Sequence, residues 1–432
     1  MGSTERSRQS RRRPAFLRFL EGWRDVPPHI RPILWPELMW AIPYALFIPY
    51  ASLYQERVGL SPAQIGLLGS VTSTLGVISA FFGAHLVDRV GRKRSLLVAD
   101  FLSWPVACAV WAFAGDFRWF LVAAVLNGVG SIAFIAWSCL LVEDTAEAER
   151  FPIFSWLQVI QLGAGLFVPL AAPVIAHLGV VSGTRLLYLF AIPNMAAMMF
   201  IRDRLTRESS IGLARMSHAR AINWRQVASE YRRATRFIVG HPEYRALFVA
   251  SLSFNLSAVV SSLYVGLYYA DHLLVAPAVI SVFPTVTAAV MLASTIWLLP
   301  SLDEGLARRN LSVGSMLVLT GLVTLISTPT RGLGWVVLSV TLSAAGNGLV
   351  NPFYNVILNG LIEDADRATV LSATFVIRTL LLTPVGAVAG FLFSLSPRLP
   401  FIGAAGLIAL GIAVYLPFAF GRGAARGSAA AE

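Results

Sequence analysis

Arg378 lies about nine residues into a long apolar run, ~14 Å deep at 1.5 Å per residue and close to the centre of any bilayer the run crosses. A charge at that depth costs at least ~2.5 kcal/mol on insertion scales, so it must be paired or hydrated. It could meet an anionic group of a bound molecule or shift the proton affinity of a nearby carrier. The alternative is a structural arginine bonded to carbonyls and amides of broken helices. Asn347, Asn351, Asn355 and Asn359 follow one another at spacing four, with Gly348 and Pro352 to loosen their helix. That spacing drifts by roughly 40° per step, so the four cannot face one point. Asn351 and Asn355, with Tyr354, are the expected liners of a wet cavity, and Asn347 is expected to face Asn127. The plainer role is glue between helices, at about 0.6 kcal/mol per bond. Gln158 and Gln161 form a further polar edge at spacing three, and Tyr44 lies among Pro43, Pro49, Tyr50 and Tyr54. Glu37 and Asp100 sit near the ends of their apolar runs. Each could carry a proton if an apolar wall raised its proton affinity, or stay ionised and snorkel toward nearby arginines.

The elements that hold these residues must be membrane helices. Of 432 residues, 56% are hydrophobic and 13% charged, and the mean hydropathy is +0.68. So few charges cannot keep the surface of a soluble chain of this length wet. Runs long enough to cross a ~30 Å hydrocarbon core fall near 34–55, 62–83, 95–115, 119–142, 153–176, 186–201, 246–270, 277–299, 310–328, 332–361, 369–395 and 399–420. The reading is an all-α integral membrane protein with twelve transmembrane helices. The net charge of +11 is distributed as a topology signal. Arg57, Arg118, Arg185, Arg331 and Arg398 fall in external turns and Arg378 in a span, while the rest of the 34 Lys and Arg residues fall in tails and cytoplasmic loops. Both termini are therefore expected in the cytoplasm, with the chain in the cell membrane and no nucleic acid as partner. Cys108 and Cys139 offer neither a disulfide framework nor metal spacing, so no metal or other cofactor is expected.

A repeat divides the chain. Asn127-Gly128 and Leu141-Val142-Glu143-Asp144 recur at one constant offset as Asn347-Gly348 and Leu361-Ile362-Glu363-Asp364. After a slightly shorter loop, Arg150, Ser155, Val159 and Ile160 align with Arg367, Ser372, Val376 and Ile377, which pairs Gln161 with Arg378. The expected organisation is a basic tail over 1–33 with an amphipathic segment at 16–23, and no cleavable signal peptide within it. A six-helix bundle over 34–201, a cytoplasmic linker over 202–245, a second six-helix bundle over 246–420 and a tail over 421–432 follow. Within the linker, Asn223 can cap an interfacial helix carrying Trp224, Val227, Ala228, Tyr231 and Ile238 on one face.

Between the second and third spans the chain reads Gly83-Ala84-His85-Leu86-Val87-Asp88-Arg89-Val90-Gly91-Arg92-Lys93-Arg94. This closely resembles the loop after the second helix of major facilitator superfamily transporters, with Ala84 where the family has glycine. The resemblance implies two pseudo-symmetric six-helix bundles with a substrate site between them, acting by rocker-switch alternating access. It also implies a latch in which Asp88, Arg89, Gly91 and Arg92 act with the acidic ends Glu143, Asp144, Glu363 and Asp364 and with Arg150. Asp88 would meet the N-terminus of the eleventh helix near Thr369, and Arg92 would pair with Glu143 or Asp144. Proton coupling, with Glu37 and Asp100 as candidates, comes from the resemblance more than from either residue alone.

The stretch Gly59-Leu60-Ser61-Pro62-Ala63-Gln64-Ile65-Gly66 resembles drug and metabolite exporters. The exporter signature expected on the fifth span is degenerate, as Gly163-Ala164-Gly165-Leu166-Phe167-Val168-Pro169. The expectation is a monomer in the lipid bilayer exporting small amphipathic organic molecules. Uptake of a small organic anion on Arg378, or lipid or lysolipid translocation, are the alternatives. A membrane enzyme is disfavoured because His85 with Asp88 is the nearest approach to a catalytic cluster.

Overall fold

In the computed structural model, residues 22–217, 224–362 and 367–420 are described; they form helices and no strands. The expected segment at 16–23 lies almost wholly outside these residues, as do Asn223, Glu363, Asp364 and the tail from 421. The N-terminal half contains α1 (Glu37–Phe47), α2 (Ala51–Arg57), α3 (Pro62–Val90), α4 (Arg92–Phe101), α5 (Ala107–Phe113), α6 (Phe117–Gly128), α7 (Gly130–Val142), α8 (Glu147–Ala164) and α9 (Ala171–Leu205). Two linker helices follow, α10 (Ser210–Ser217) and α11 (Trp224–Gly240). The C-terminal half contains α12 (Pro242–Leu267), α13 (Val282–Ala293), α14 (Ala307–Ser327), α15 (Leu333–Leu361), α16 (Arg367–Leu382), α17 (Val385–Leu395) and α18 (Leu399–Phe420).

Among the described residues, ten helical segments are long and apolar enough to cross a membrane, against the twelve expected. Two local features account for the difference. A single-turn 3-10 segment, Ile48–Tyr50, centred on Pro49, splits the first run into α1 and α2, each too short alone. The expected fifth and sixth spans merge into Pro152–Leu205, 54 residues in all. At 1.5 Å per residue that run is ~80 Å long, more than twice a ~30 Å core. It reverses within α9 at Gly179, whose φ of 74° and ψ of 173° a side chain would disfavour. Arg185 therefore lies on the helix after this turn rather than in an external loop. Other starts are set locally: Ser61 and Gln64 form a reciprocal capping box at α3, with Pro62 in its first turn.

Each half packs internally, α1 along α9 and α3 on α6 and α7 in one, α14 along α15 and α12 along α18 in the other. Large apolar side chains such as Phe113, Trp297, Phe391 and Leu395 remain exposed on the outside, where lipid must cover them. The hydrogen bonds that join the halves lie toward the end of the molecule away from the basic loop, hereafter the far end. Tyr264 on α12 donates to both Pro62 O and Gly386 O at 3.1 Å. The Ala387 amide donates to Ser70 Oγ at 2.9 Å, and Thr285 donates to Gly165 O at 3.0 Å. Arg57 pairs with Asp271 across the same seam. The helices meet there backbone to backbone: a Cβ on Gly66 would overlap the Gly386 carbonyl and the Tyr264 hydroxyl.

Overfilling such a seam costs about 1–3 kcal/mol. Gly66→Val is expected to lower the thermal midpoint in detergent and to speed thiol labelling of a cysteine placed at Ser70 in a background without Cys108 and Cys139. An unchanged labelling rate would show that the seam is not closed by this contact.

Candidate functional site

Arg378 on α16 donates to Ser251 Oγ on α12 at 3.2 Å, and its guanidinium lies 5.7 Å from the centre of the Phe375 ring. It is half-buried, and among the described residues no carboxylate lies within ion-pair distance of it. Tyr244, at the start of α12, shares a 2.7 Å hydrogen bond with Thr374 and is within electrostatic reach of both Arg378 and Tyr354. Arg378 on α16 and Tyr354 on α15 thus both lie within electrostatic range of Tyr244. Asn351 and Asn355 are exposed on α15, where Asn355 donates to Asn351 O at 3.0 Å. Gln158 and Gln161 are exposed on α8. Asn127 and Asn347 do not bond to each other: Asn127 donates to Ser103 O at 3.0 Å, and Asn347 to Ser343 O of its own helix at 2.9 Å. Tyr44 stacks on Trp40, with centroids 4.8 Å apart, and meets Trp104 edge-on at 5.4 Å.

At the basic end, Gly91, with φ 97°, turns α3 into α4 and places Arg92 at the head of α4. Arg92 is fully buried and bonds Glu143 through Nε at 3.2 Å and Nη2 at 3.0 Å, while its Nη1 lies 2.9 Å from Asp88. Of the two partners that the resemblance implies for Arg92, Glu143 and Asp144, it is Glu143 that it meets. Asp88 instead faces Arg92 and, at 3.3 Å, Arg215 on α10. The linker supplies partners that the motif does not announce. The Glu208 carboxylate accepts from the Arg92 and Lys93 amides at 3.0 and 2.9 Å, capping α4. Ser209 bonds Glu143, and Ser210 bonds Asp144 through its amide and hydroxyl. Arg89 is exposed, as is Arg150 near the start of α8.

Glu37 and Asp100 are not isolated. Arg202, near the end of α9, bonds Glu37 at 3.1 Å and also Asp100, and Trp137 donates to Glu37 at 3.1 Å. All three charged residues are buried. Sequence reasoning missed Arg202 because it lies just past the last apolar residue of its span and reads as linker. The available signal was two in-span acids without a cation, for which Arg202 is a basic residue at the matching depth.

Residues 38–384 match the sequence profile of the Major Facilitator Superfamily. The chain belongs to that superfamily. Its members are membrane transporters, and the ten apolar helices make this chain a multi-pass membrane protein. The uncharacterized MFS-type transporter YqjV of Bacillus subtilis (strain 168) is 29% identical over 138 residues, 32% of this chain and 33% of that one. A probable 4-methylmuconolactone transporter of Cupriavidus pinatubonensis (strain JMP 134 / LMG 1197) is 29% identical over 164 residues, 37% of this chain and 38% of that one. The chain thus spans little more than a third of the length of these curated relatives. The fold matches the nucleoside transporter NupG with a TM-score of 0.68 at 12% identity, covering 91% of this chain and 99% of NupG. It matches the human organic anion transporter MFSD10 with a TM-score of 0.61 at 15% identity, covering 90% of this chain and 100% of MFSD10. At these identities the structural likeness establishes the fold alone.

Within this superfamily member, the buried and exposed parts of the basic-loop network should differ in weight. Removing one partner of a buried ion pair costs about 3–5 kcal/mol, whereas an exposed pair contributes about 0–1 kcal/mol. Arg92→Ala is expected to lower the thermal midpoint in detergent strongly and Arg215→Ala barely; equal effects would contradict the burial assigned to Arg92.

Proposed function

We propose that this chain is a secondary transporter of small organic anions, with Arg378 as the counter-charge and rocking of the two halves as the transport step. The observation that carries the substrate class is a half-buried guanidinium at mid-depth with no carboxylate within ion-pair distance among the described residues. Such a charge is hydrated or matched by something that comes and goes. Ser251 offers a polar contact beside it, and Phe375 an aromatic one. Exposed amides within spans, Gln158, Gln161, Asn351 and Asn355, suit a wet cleft and not lipid. Asn127, Asn347 and Tyr44 line or brace the same pathway. That a relative is a probable 4-methylmuconolactone transporter and a fold neighbour an organic anion transporter agrees with this class.

In this reading the chain acts as a monomer in the cell membrane, both termini lie in the cytoplasm, and the basic end faces inward. The far-end seam is then the outer gate. Asp88, Arg89, Gly91, Arg92, Glu143, Asp144 and Arg150 form the inner gate, joined by Glu363 and Asp364 from the second half. The linker contacts of Glu208, Ser209, Ser210 and Arg215 steady the first half while the inner side is open. A second reading, export of neutral or cationic amphiphiles, is favoured by the aromatic wall of Trp40, Tyr44 and Trp104.

A ligand that binds only the folded state raises the thermal midpoint by mass action. Small aromatic and aliphatic carboxylates are expected to raise the midpoint of the wild type and to leave Arg378→Gln unmoved. Equal stabilisation of both proteins by neutral or cationic amphiphiles, with none by carboxylates, would replace the anion reading with the second.

A further inference from the structure

At the basic end of the N-terminal half, three buried charges do not cancel. Glu37 on α1, Asp100 on α4 and Arg202 on α9 are 8%, 8% and 3% exposed. One guanidinium serves both carboxylates, and among the described residues the further polar donor to Glu37 is the Trp137 indole on α7. With both acids ionised, the cluster carries one uncompensated negative charge. The charged groups around it do not supply the missing cation. Lys93 on α4 lies 3.6 Å from Asp203 on α9, a pair that cancels. Arg92 is committed to Asp88 and Glu143. On α8, which packs along α1, the Glu149 carboxylate turns back to the Ala146 amide and Arg150 is exposed. Arg31, in the helical turn Arg31–Leu34 before α1, donates to the Val26 and Arg24 carbonyls. A lone carboxylate in such surroundings takes up a proton or a counter-ion.

A second observation lies on the other side of Arg202. A small cavity there is lined by Lys93, Arg202, Asp203 and Thr206, with Leu97 and Met199 as its apolar wall. Thr206 is 7% exposed, and its hydroxyl has no hydrogen-bond partner from the protein. Leu96 and Leu140 complete the lining, which is mostly apolar, and the space is about that of a single water. One water there would bond the Thr206 hydroxyl and stand between the basic end and the guanidinium that holds both acids.

We propose that Glu37, Asp100 and Arg202 form one proton-binding site, in which two carboxylates share a guanidinium and a single exchangeable proton, reached through water in the Thr206 cavity. Uptake takes one proton from water at the basic end and brings the cluster from a charge of −1 to neutral; release reverses both. The site belongs wholly to the first half, while Arg378 belongs to the second, so proton and substrate occupy different moving bodies. The coupling of the two rests on the transport reading above; the binding of the proton does not.

The test is an infrared pH titration of the full-length protein purified in detergent, with no substrate present. The wild type is expected to show a protonated carboxyl C=O band that appears as the pH is lowered. Charge balance makes an uncommon demand on the variants. Once either acid is an amide, Arg202 and the remaining carboxylate cancel, so the band must vanish in Glu37→Gln and also in Asp100→Asn. Trp137→Phe keeps both acids but removes a donor to the anionic form, so the band must persist with its midpoint moved to higher pH. This third variant keeps the proposal open to refutation should the amide variants fold poorly. A band absent from the wild type, lost in one amide variant and kept in the other, or unmoved by Trp137→Phe would overturn the shared-proton site. Failure of carboxylates to stabilise the protein through Arg378 would leave this titration unaffected, so the two proposals fail separately.

Discussion

Lipid offers no hydrogen bonds, and every polar group carried into it must find a partner in the protein or in water that the protein admits. The placement of charge in this chain follows from that constraint. Arg92 is buried with Asp88 and Glu143, and Arg202 with Glu37 and Asp100. Both clusters lie at the basic end, where helices of the first half converge. They bind α1, α4, α7 and α9 into a unit by charge as well as by apolar packing. The second half contains a counterpart in Arg308 and Glu243, 2.6 Å apart, which joins α14 to the foot of α12. Each half is therefore stiffened at the same end and by the same means, as two bodies that move against each other require.

Arg378 stands apart from this scheme. Among the described residues its one hydrogen bond, to Ser251, leaves most of its five donors without protein partners. The difference between Arg202, fully matched, and Arg378, nearly unmatched, separates a cation that holds helices together from one that is available to a ligand.

Much of this was legible in the sequence, and the part that was not has physical reasons. Hydropathy located the helices because a bilayer imposes a length, yet it divided them imperfectly where Pro49 and Gly179 change backbone direction without a polar loop. The repeat of Asn127 and Glu143 at Asn347 and Glu363 exposed the two halves. The resemblance of the loop around Asp88 and Gly91 implied that Arg92 pairs with Glu143 or Asp144, and the structure has it on Glu143. Partners distant in sequence could not be read in this way. Glu208, Ser209, Ser210 and Arg215 sit in a polar stretch with no periodic signal, and their role depends on α10 folding back on α3. Arg202 was hidden by its position at the margin of a span, where a charge is ordinarily taken as the end of the membrane segment.

The seam at the far end is made largely by backbone and hydroxyl groups, and that gives it a particular sensitivity. Where Gly66 meets Gly386 the two backbones touch, so the helices there are held by backbone and hydroxyl contacts as well as by the apolar side chains packed around them. What is also lost is the bond from the Tyr264 hydroxyl to the Pro62 carbonyl and the bond from the Ala387 amide to the Ser70 hydroxyl, which incoming water replaces nearly one for one. Opening is then in part a hydration reaction. Its equilibrium should respond to the activity of water at that face, so that osmolytes excluded from the cleft act as closing effectors without binding to the protein.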